Sequence, residues 1–254
     1  GFFNTTHKHA DELDFELYDR GMKVVNGPGN YGYDREEQYR DYQLSGQSHS
    51  VLLVDGQSFP IEAENAHGSA ITATGQGSGW FAIEGTNPLT ELQGVSHARL
   101  FLYKPGDALV VVDRLRADAP HAYQRFFQLG PDLEIQGLSP GTLGLTGPGI
   151  SGGLYERAAA TGGASRTVIK GRPTPLQGFT FPGFRQAVPR WSIEYGSLAA
   201  DANYITVFTL NGATQRGTVS VPAPGTTEVV LTRGSSSQTI TVKRSGSRLT
   251  LDFS

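Results

Sequence analysis

Short runs in which apolar and polar residues alternate recur along this chain, separated by clusters of Gly, Pro, Asn and Asp. Period-two alternation puts every second side chain on one face, which is the pattern of half-buried strands. It is clear in Leu13-Asp14-Phe15-Glu16-Leu17, whereas residues 51–54 form a continuous apolar run closed by Asp55-Gly56, the signature of a buried strand ending in a tight turn. Further strands are predicted over 70–74 and 80–83. The clearest hairpin joins 98–103 to 108–115 through Lys104-Pro105-Gly106-Asp107, whose central Pro-Gly suits a type II turn, and the pattern runs on into a strand over 121–127. Residues 137–165 are rich in Gly, Ser and Thr, as strands joined by tight turns would be, and 204–210, 227–232, 238–243 and 248–253 end the chain as short strands. No stretch supports a three-turn helix with an apolar stripe; the charged, aromatic segment 34–42 is expected to be a loop or one helical turn. The predicted fold class is all-β, an antiparallel β-sandwich of many short strands.

Composition sharpens this picture. With 254 residues, 37% hydrophobic, 33 Gly and 14 Pro, the chain is expected to be one turn-rich domain over 1–254, with 213–254 as its terminal strands. A formal net charge of −3 gives no general attraction to nucleic acid or an anionic membrane, and no apolar run is long enough for a membrane span. The absence of cysteine excludes disulfides and thiolate metal sites without assigning a compartment. No GxGxxG, P-loop or GxSxG motif is present, which argues against nucleotide binding and serine esterase chemistry. Because the chain opens directly into a histidine-bearing, strand-like stretch, its N-terminal edge is expected to be truncated, as in a fragment or processed product.

The candidate chemistry lies in that opening, His7-Lys8-His9-Ala10-Asp11. If it is extended, residues 7, 9 and 11 share one face at a spacing of about 6.6 Å, bringing two imidazoles and a carboxylate to one spot. That arrangement suits a metal site or a proton-transfer site, and equally a solvated polar strand face.

Taken in order, several segments resemble the C-terminal β-sandwich of the heparinase II/III-like polysaccharide lyases. The opening resembles that family's H-x-H-x-D pattern, residues 21–31 its G-x-x-x-hydrophobic-x-D-x-G-x-Y stretch, and 39–56 the segment ending A-H-N-T-V-x-V-D-G. Residues 98–127 are similar to its Y-x-P-G-x-hydrophobic-V-V-D hairpin, and Trp191-Ser192-Ile193-Glu194-Tyr195-Gly196 with 204–210 to its S-x-x-Y-G…T-V end. The resemblance implies β-elimination on a uronic-acid-containing polysaccharide: a base removes the C5 proton, the carboxylate charge is neutralised, and an acid protonates the leaving glycosidic oxygen. It implies that His7 lines the catalytic cleft, that His9 and His49 bind a structural zinc or other divalent metal, and that the protein is periplasmic or secreted. The family's catalytic tyrosine, with its Asn or His partner, lies on an N-terminal (α/α) toroid that this sequence lacks, so a helical N-terminal domain or chain is the expected partner, besides the acidic saccharide.

The sequence departs from the family pattern at Gly27, where an aspartate ligand is expected; Asn26 is the remaining oxygen donor. Ser50 and Gln128 replace a frequent Asn and His, and Asp11 is read as a supporting carboxylate. Arg40 and Tyr31 are the first candidates for substrate binding, with Arg125, Arg185, Tyr33, Tyr39 and Tyr42 behind them, while His67, His97 and His121 are expected to be structural or exposed. Two alternatives stand beside the lyase reading: a non-catalytic carbohydrate-binding or assembly module, and a cupin-like metal enzyme built on H-x-H and His49.

Overall fold

The computed structural model describes residues 7–34, 37–62, 65, 70–158 and 164–254. In chain order these give a ribbon of β1 (Leu17–Asp19) and β2 (Met22–Val25), helix α1 (Gln38–Leu44), β3 (Leu52–Val54), β4 (Ala70–Gly77), β5 (Trp80–Thr86), β6 (Val95–Lys104), β7 (Ala108–Ala117) and β8 (His121–Gln128). Then follow β9 (Glu134–Ser139), β10 (Thr142–Gly147), β11 (Ile150–Ala158), β12 (Ser165–Lys170), the short pair β13 (Arg172–Pro173) and β14 (Leu176–Gln177), and the hairpin β15 (Phe179–Gly183) and β16 (Gln186–Pro189). The chain ends with β17 (Trp191–Ala199), β18 (Ala202–Thr209), β19 (Arg216–Ala223), β20 (Thr226–Arg233), β21 (Ser236–Ser245) and β22 (Arg248–Phe253).

Among the described residues, twelve strands form one long sheet in the order β19-β20-β21-β22-β4-β5-β6-β7-β18-β11-β10-β9, and β12-β17-β8-β3 form a second sheet. Every pairing is antiparallel except the β22–β4 seam, which is parallel and aligns only Arg248 with Thr74. There the carbonyl of Leu249 would lie 2.1 Å from any Cβ at position 75, so the seam closes only over Gly75.

The sheets form a sandwich because the central strands are apolar on both faces. In β7, Leu109 and Val111 pack with Phe127, Ile193 and Tyr195 of the small sheet. Ala108, Val110 and Val112 point the other way, into a second core with Val229, Leu231, Ile240 and Val242 of the curled-over β20 and β21. That double burial explains why residues 108–112 of β7 are apolar without alternation. The predicted turn follows its chemistry: Gly106 has φ 72° and the Asp107 amide donates to the Lys104 carbonyl at 3.1 Å, as a type II turn requires.

Two expectations change. Segment 34–42 was predicted as a loop or single turn, yet α1 is a seven-residue helix, held because Tyr42 packs with Phe179 and Phe181. Residues 7–16 are not a strand. Lys8, almost fully buried, pairs with Asp11 at 2.5 Å and Glu12 at 2.8 Å, and the Asp14 amide donates to the Asp11 carbonyl. Gathering carboxylates three and four residues away requires a curled chain, and Leu13 at φ 59° completes the bend. Residues 7, 9 and 11 therefore do not share one strand face.

Candidate functional site

Two buried arginines position the site. Arg99, on β6, is fully buried; its Nε and Nη2 donate to Asp113 at 2.7 and 3.1 Å, and its Nη1 donates to the carbonyls of Leu13 at 2.9 Å and Ser50 at 2.6 Å. It thus ties the segments that carry His9 and His49 to the same strand pair. Burial by itself would raise the Asp113 carboxyl, but Arg99 and His97 hold it well below the usual carboxylate range. Arg190, also fully buried, donates to the carbonyls of Asn26, Gly27 and Ser48, joining the turn at 26–29 to the approach to His49.

The turn itself is laid against β15. The Phe181 amide donates to the Pro28 carbonyl at 2.6 Å and the Asn30 amide to the Phe181 carbonyl at 3.0 Å. Gly29 at φ 77° leaves the Phe181 carbonyl 2.2 Å from any added Cβ, so glycine is obligatory there.

On this frame His7 and His9 separate. His7 is exposed and packs edge-on against Tyr33, with ring centroids 5.5 Å apart. The guanidinium of buried Arg40 lies 5.4 Å from the centre of the same Tyr33 ring, and the Tyr33 hydroxyl accepts from Asn30 Nδ2 at 3.0 Å. His7, Tyr33, Arg40 and Asn30 form one cluster. Tyr33 and Asn30 also line a groove of about 710 Å³ with Glu16, Lys23, Asn26 and Phe184.

His9 turns inward, and its Nδ1 lies 3.1 Å from His49 Nε2. Backbone partners fix the protons along this pair. His49 Nδ1 sits 2.9 Å from the Ser45 carbonyl and so donates, leaving Nε2 as the acceptor for His9 Nδ1–H. Gln43 Oε1 accepts from the Tyr31 amide at 2.6 Å, which turns its Nε2 toward His9 Nε2 and Asn30 Oδ1, each at 3.3 Å. A continuous chain of hydrogen bonds therefore runs from Tyr33 through Asn30, Gln43 and His9 to His49. Burial, then the His49 imidazole, pushes His9 down to about 4, and burial pushes His49 to about 4, so both rings are neutral near neutral pH.

The implied metal can be tested against these donors. A nitrogen pair 3.1 Å apart is close to the edge of about 3.3 Å of a zinc tetrahedron with bonds of about 2.0–2.1 Å, and His49 has the carbonyl-bound second nitrogen of many ligands. The third position does not fit. Gly27 has no side chain, and Glu16 Oε1 accepts its amide at 2.9 Å and lies 2.7 Å from where a Cβ would stand. Asn26 turns its Nδ2 to the Gly27 carbonyl and Thr180, with Oδ1 buried and unpartnered. Among the described residues no group of three His, Cys, Asp or Glu is arranged to hold a metal. The donors present make a hydrogen-bonded imidazole pair rather than the carboxylate-containing site the resemblance implies.

The other candidates take varied places. Tyr31 is half-buried among Tyr39 and Phe181, leaving Tyr33 as the exposed ring, and the buried Tyr42 hydroxyl accepts from the Gly178 amide. Asp11 belongs to the Lys8 ion pair. Arg125 is buried against Glu156 at 2.5 Å beneath Tyr204, whereas Arg185 is exposed at the β15–β16 tip. Ser50 and Gln128 are buried and hydrogen-bonded to each other, Gln128 N donating to Ser50 Oγ at 3.0 Å. His97 is buried against Asp113, His121 pairs with Asp55 on the surface, and His67 lies outside the described residues. Asp14, Glu16, Gln43, Arg190 and Phe184 were not among the candidates; each reaches the site through a contact remote in sequence or a helical turn, and no motif marks them.

This sandwich is that of a heparinase II/III-like C-terminal domain. The Heparinase II/III-like, C-terminal family model matches residues 3–243, and the chain belongs to that family. Solved structures with the same fold include the heparan sulfate lyase HepC from Pedobacter heparinus, at 17% identity and TM-score 0.74 over 93% of this chain and 37% of that one. A heparinase III gene product matches at 15% identity and TM-score 0.75, over 94% of this chain and 37% of its own. The chain thus spans just over a third of the solved chains it matches. The comparison with curated proteins returns no match. No described helix is long and apolar enough to cross a membrane.

Proposed function

We propose that this chain is the sandwich portion of a polysaccharide lyase acting on a uronic-acid-containing polysaccharide, completed by a helical domain or chain that docks on its cleft side. The observation that carries the reading is exposed His7 on Tyr33, with buried Arg40 against the same ring, Tyr33 itself lining a groove in a heparinase II/III-like sandwich. In this reading His7 exchanges a proton with the substrate. The C5–H electrons form the C4=C5 double bond, the C4–O bond breaks, and the leaving oxygen takes up a proton. The fixed charge of Arg40 adds positive potential where the uronate carboxylate gathers charge, while Tyr31 packs on Tyr39 and Phe181. His9, His49 and Gln43 hold the cleft edge through neutral hydrogen bonds, and no step passes through a metal. A substrate of this kind belongs to a periplasmic or secreted enzyme.

One positioned proton-transfer group gives about 10²–10⁴-fold, short of the 10⁶ or more that enzymes typically supply. The remaining groups must therefore come from the completing part. The test offers uronate polysaccharides to the longer enzyme containing this sandwich and follows ultraviolet absorbance of the new C4=C5 bond. Product from the unaltered enzyme and its loss in a folded His7→Ala variant support the reading. Unchanged turnover in His7→Ala favours the non-catalytic module instead.

A further inference from the structure

We propose that the tip of the β15–β16 hairpin is a saccharide-stacking wall, with Phe184 as its platform, and that Lys23 in the same groove receives the acidic group of the bound sugar. The proposal rests on the lyase reading for the class of ligand, an acidic pyranose.

Phe184 is 73% exposed, the most exposed of the large hydrophobic residues described, and it stands on a turn that is tied to the segment at Tyr31. The neighbouring Arg185 amide donates to the Tyr31 carbonyl at 2.7 Å, and its guanidinium reaches Glu37 at 3.4 Å and Asp34 at 3.8 Å. The edge of the Phe184 ring rests over Gly32, where a Cβ would come within 3.3 Å of Cε2. An exposed aromatic ring forgoes the gain from burial, and it suits a partner with an apolar face and polar rim. The C–H face of a pyranose is such a partner.

Phe184 lines the groove of about 710 Å³ together with Tyr33, so the wall adjoins the ring that His7 packs on. A mostly apolar cleft of this size with a few polar groups is the usual form of a small-ligand site. Its polar groups suit an acidic sugar. Lys23 is exposed and has no ion pair among the described residues, while Glu16, with one oxygen taken by the Gly27 amide, can accept from sugar hydroxyls. Asn30 links this groove to the His9–His49 chain.

The test is isothermal titration of the 254-residue chain with tetrasaccharides from heparan sulfate, hyaluronan, alginate and polygalacturonate, and with neutral cellotetraose. At least one uronate tetrasaccharide is expected to bind, with Phe184→Ala weakening it about tenfold, equivalent to about 1.4 kcal/mol, and Phe184→Trp retaining it. Lys23→Gln is expected to weaken only acidic ligands and to reduce the salt dependence of binding. Binding by Phe184→Ala within twofold of the unaltered chain, at matched thermal stability, overturns the wall; so does failure of every uronate tetrasaccharide to bind. Turnover of the longer enzyme separates the two readings. Activity that survives Phe184→Ala but not His7→Ala defeats the wall alone, whereas no unsaturated product from the unaltered enzyme defeats the lyase reading.

Discussion

Replacing Arg99 with methionine is expected to destabilise the chain by about 5 kcal/mol and to loosen the site before the sheets. Arg99 makes four hydrogen bonds without exposure to solvent: two to Asp113 and one each to the carbonyls of Leu13 and Ser50. Methionine fills much of the same volume but leaves a buried carboxylate held only by neutral His97, and two carbonyls without these donors. Breaking a buried ion pair costs about 3–5 kcal/mol, and each orphaned acceptor about 1–3, with incomplete additivity bringing the total to about 5. For a chain of this size that corresponds to a fall in Tm of about 10–20 °C. The double variant Arg99→Met/Asp113→Leu removes the stranded charge as well and is expected to regain more than half of the loss. Urea unfolding followed by circular dichroism measures both variants, and amide exchange at Ser50, whose N–H donates to Asp14 at 2.8 Å, reports the local loosening. A loss below about 1 kcal/mol in Arg99→Met, or no recovery in the double variant, would refute the reasoning.

The remaining expectations follow from single contacts. Burial pushes Asp14 up to about 6 from 3.8, although its Oδ1 accepts two backbone amides. Its contribution to stability is therefore fully present below pH 3.8 and lost as pH rises through about 6, a difference of about 3 kcal/mol that partial exposure trims to about 1–3. Asp14→Asn keeps the acceptor, so urea melts should show it more stable than the native chain at pH 7.5 and equal to it at pH 3.5; lower stability at pH 7.5 contradicts this account. His7→Ala should unfold with the native Tm, because its described packing partner is the exposed Tyr33, while costing turnover of the longer enzyme about 10²–10⁴-fold. Gly27→Asp combined with Glu16→Gln restores a carboxylate where the backbone does not demand glycine. Zinc should bind this variant at least tenfold more tightly than the native chain by competition with a chelating dye, and equal affinities would show that the third ligand lies elsewhere.

The strands were legible because their cause is local. Turn residues and the apolar composition of 51–54 and 108–115 each depend on a few neighbouring residues, and the structure places strands there, whereas the alternating segment 13–17 stays irregular until β1 begins at Leu17. The site was legible only in part. The resemblance assigned His7 and His9 to different sides, and the structure separates them, but for a reason no motif encodes: buried Lys8 collects Asp11 and Glu12 and curls the chain. The gap at Gly27 was visible in the sequence, whereas the Glu16 carboxylate against it was not, since the two meet across a turn.

By itself, then, the sequence determined the all-β class, the hairpin joining 98–103 to 108–115 and the family, because periodicity, turn chemistry and ordered motifs are properties of the chain read in line. Only the tertiary structure decided which residues share the cleft. Arg99 and Arg190 bring together carbonyls up to 164 positions away, Gln43 fixes the imidazole protons, and Phe184 reaches the groove from a distant hairpin. A buried guanidinium must satisfy several acceptors at once, and those acceptors become neighbours only when the sheets have closed.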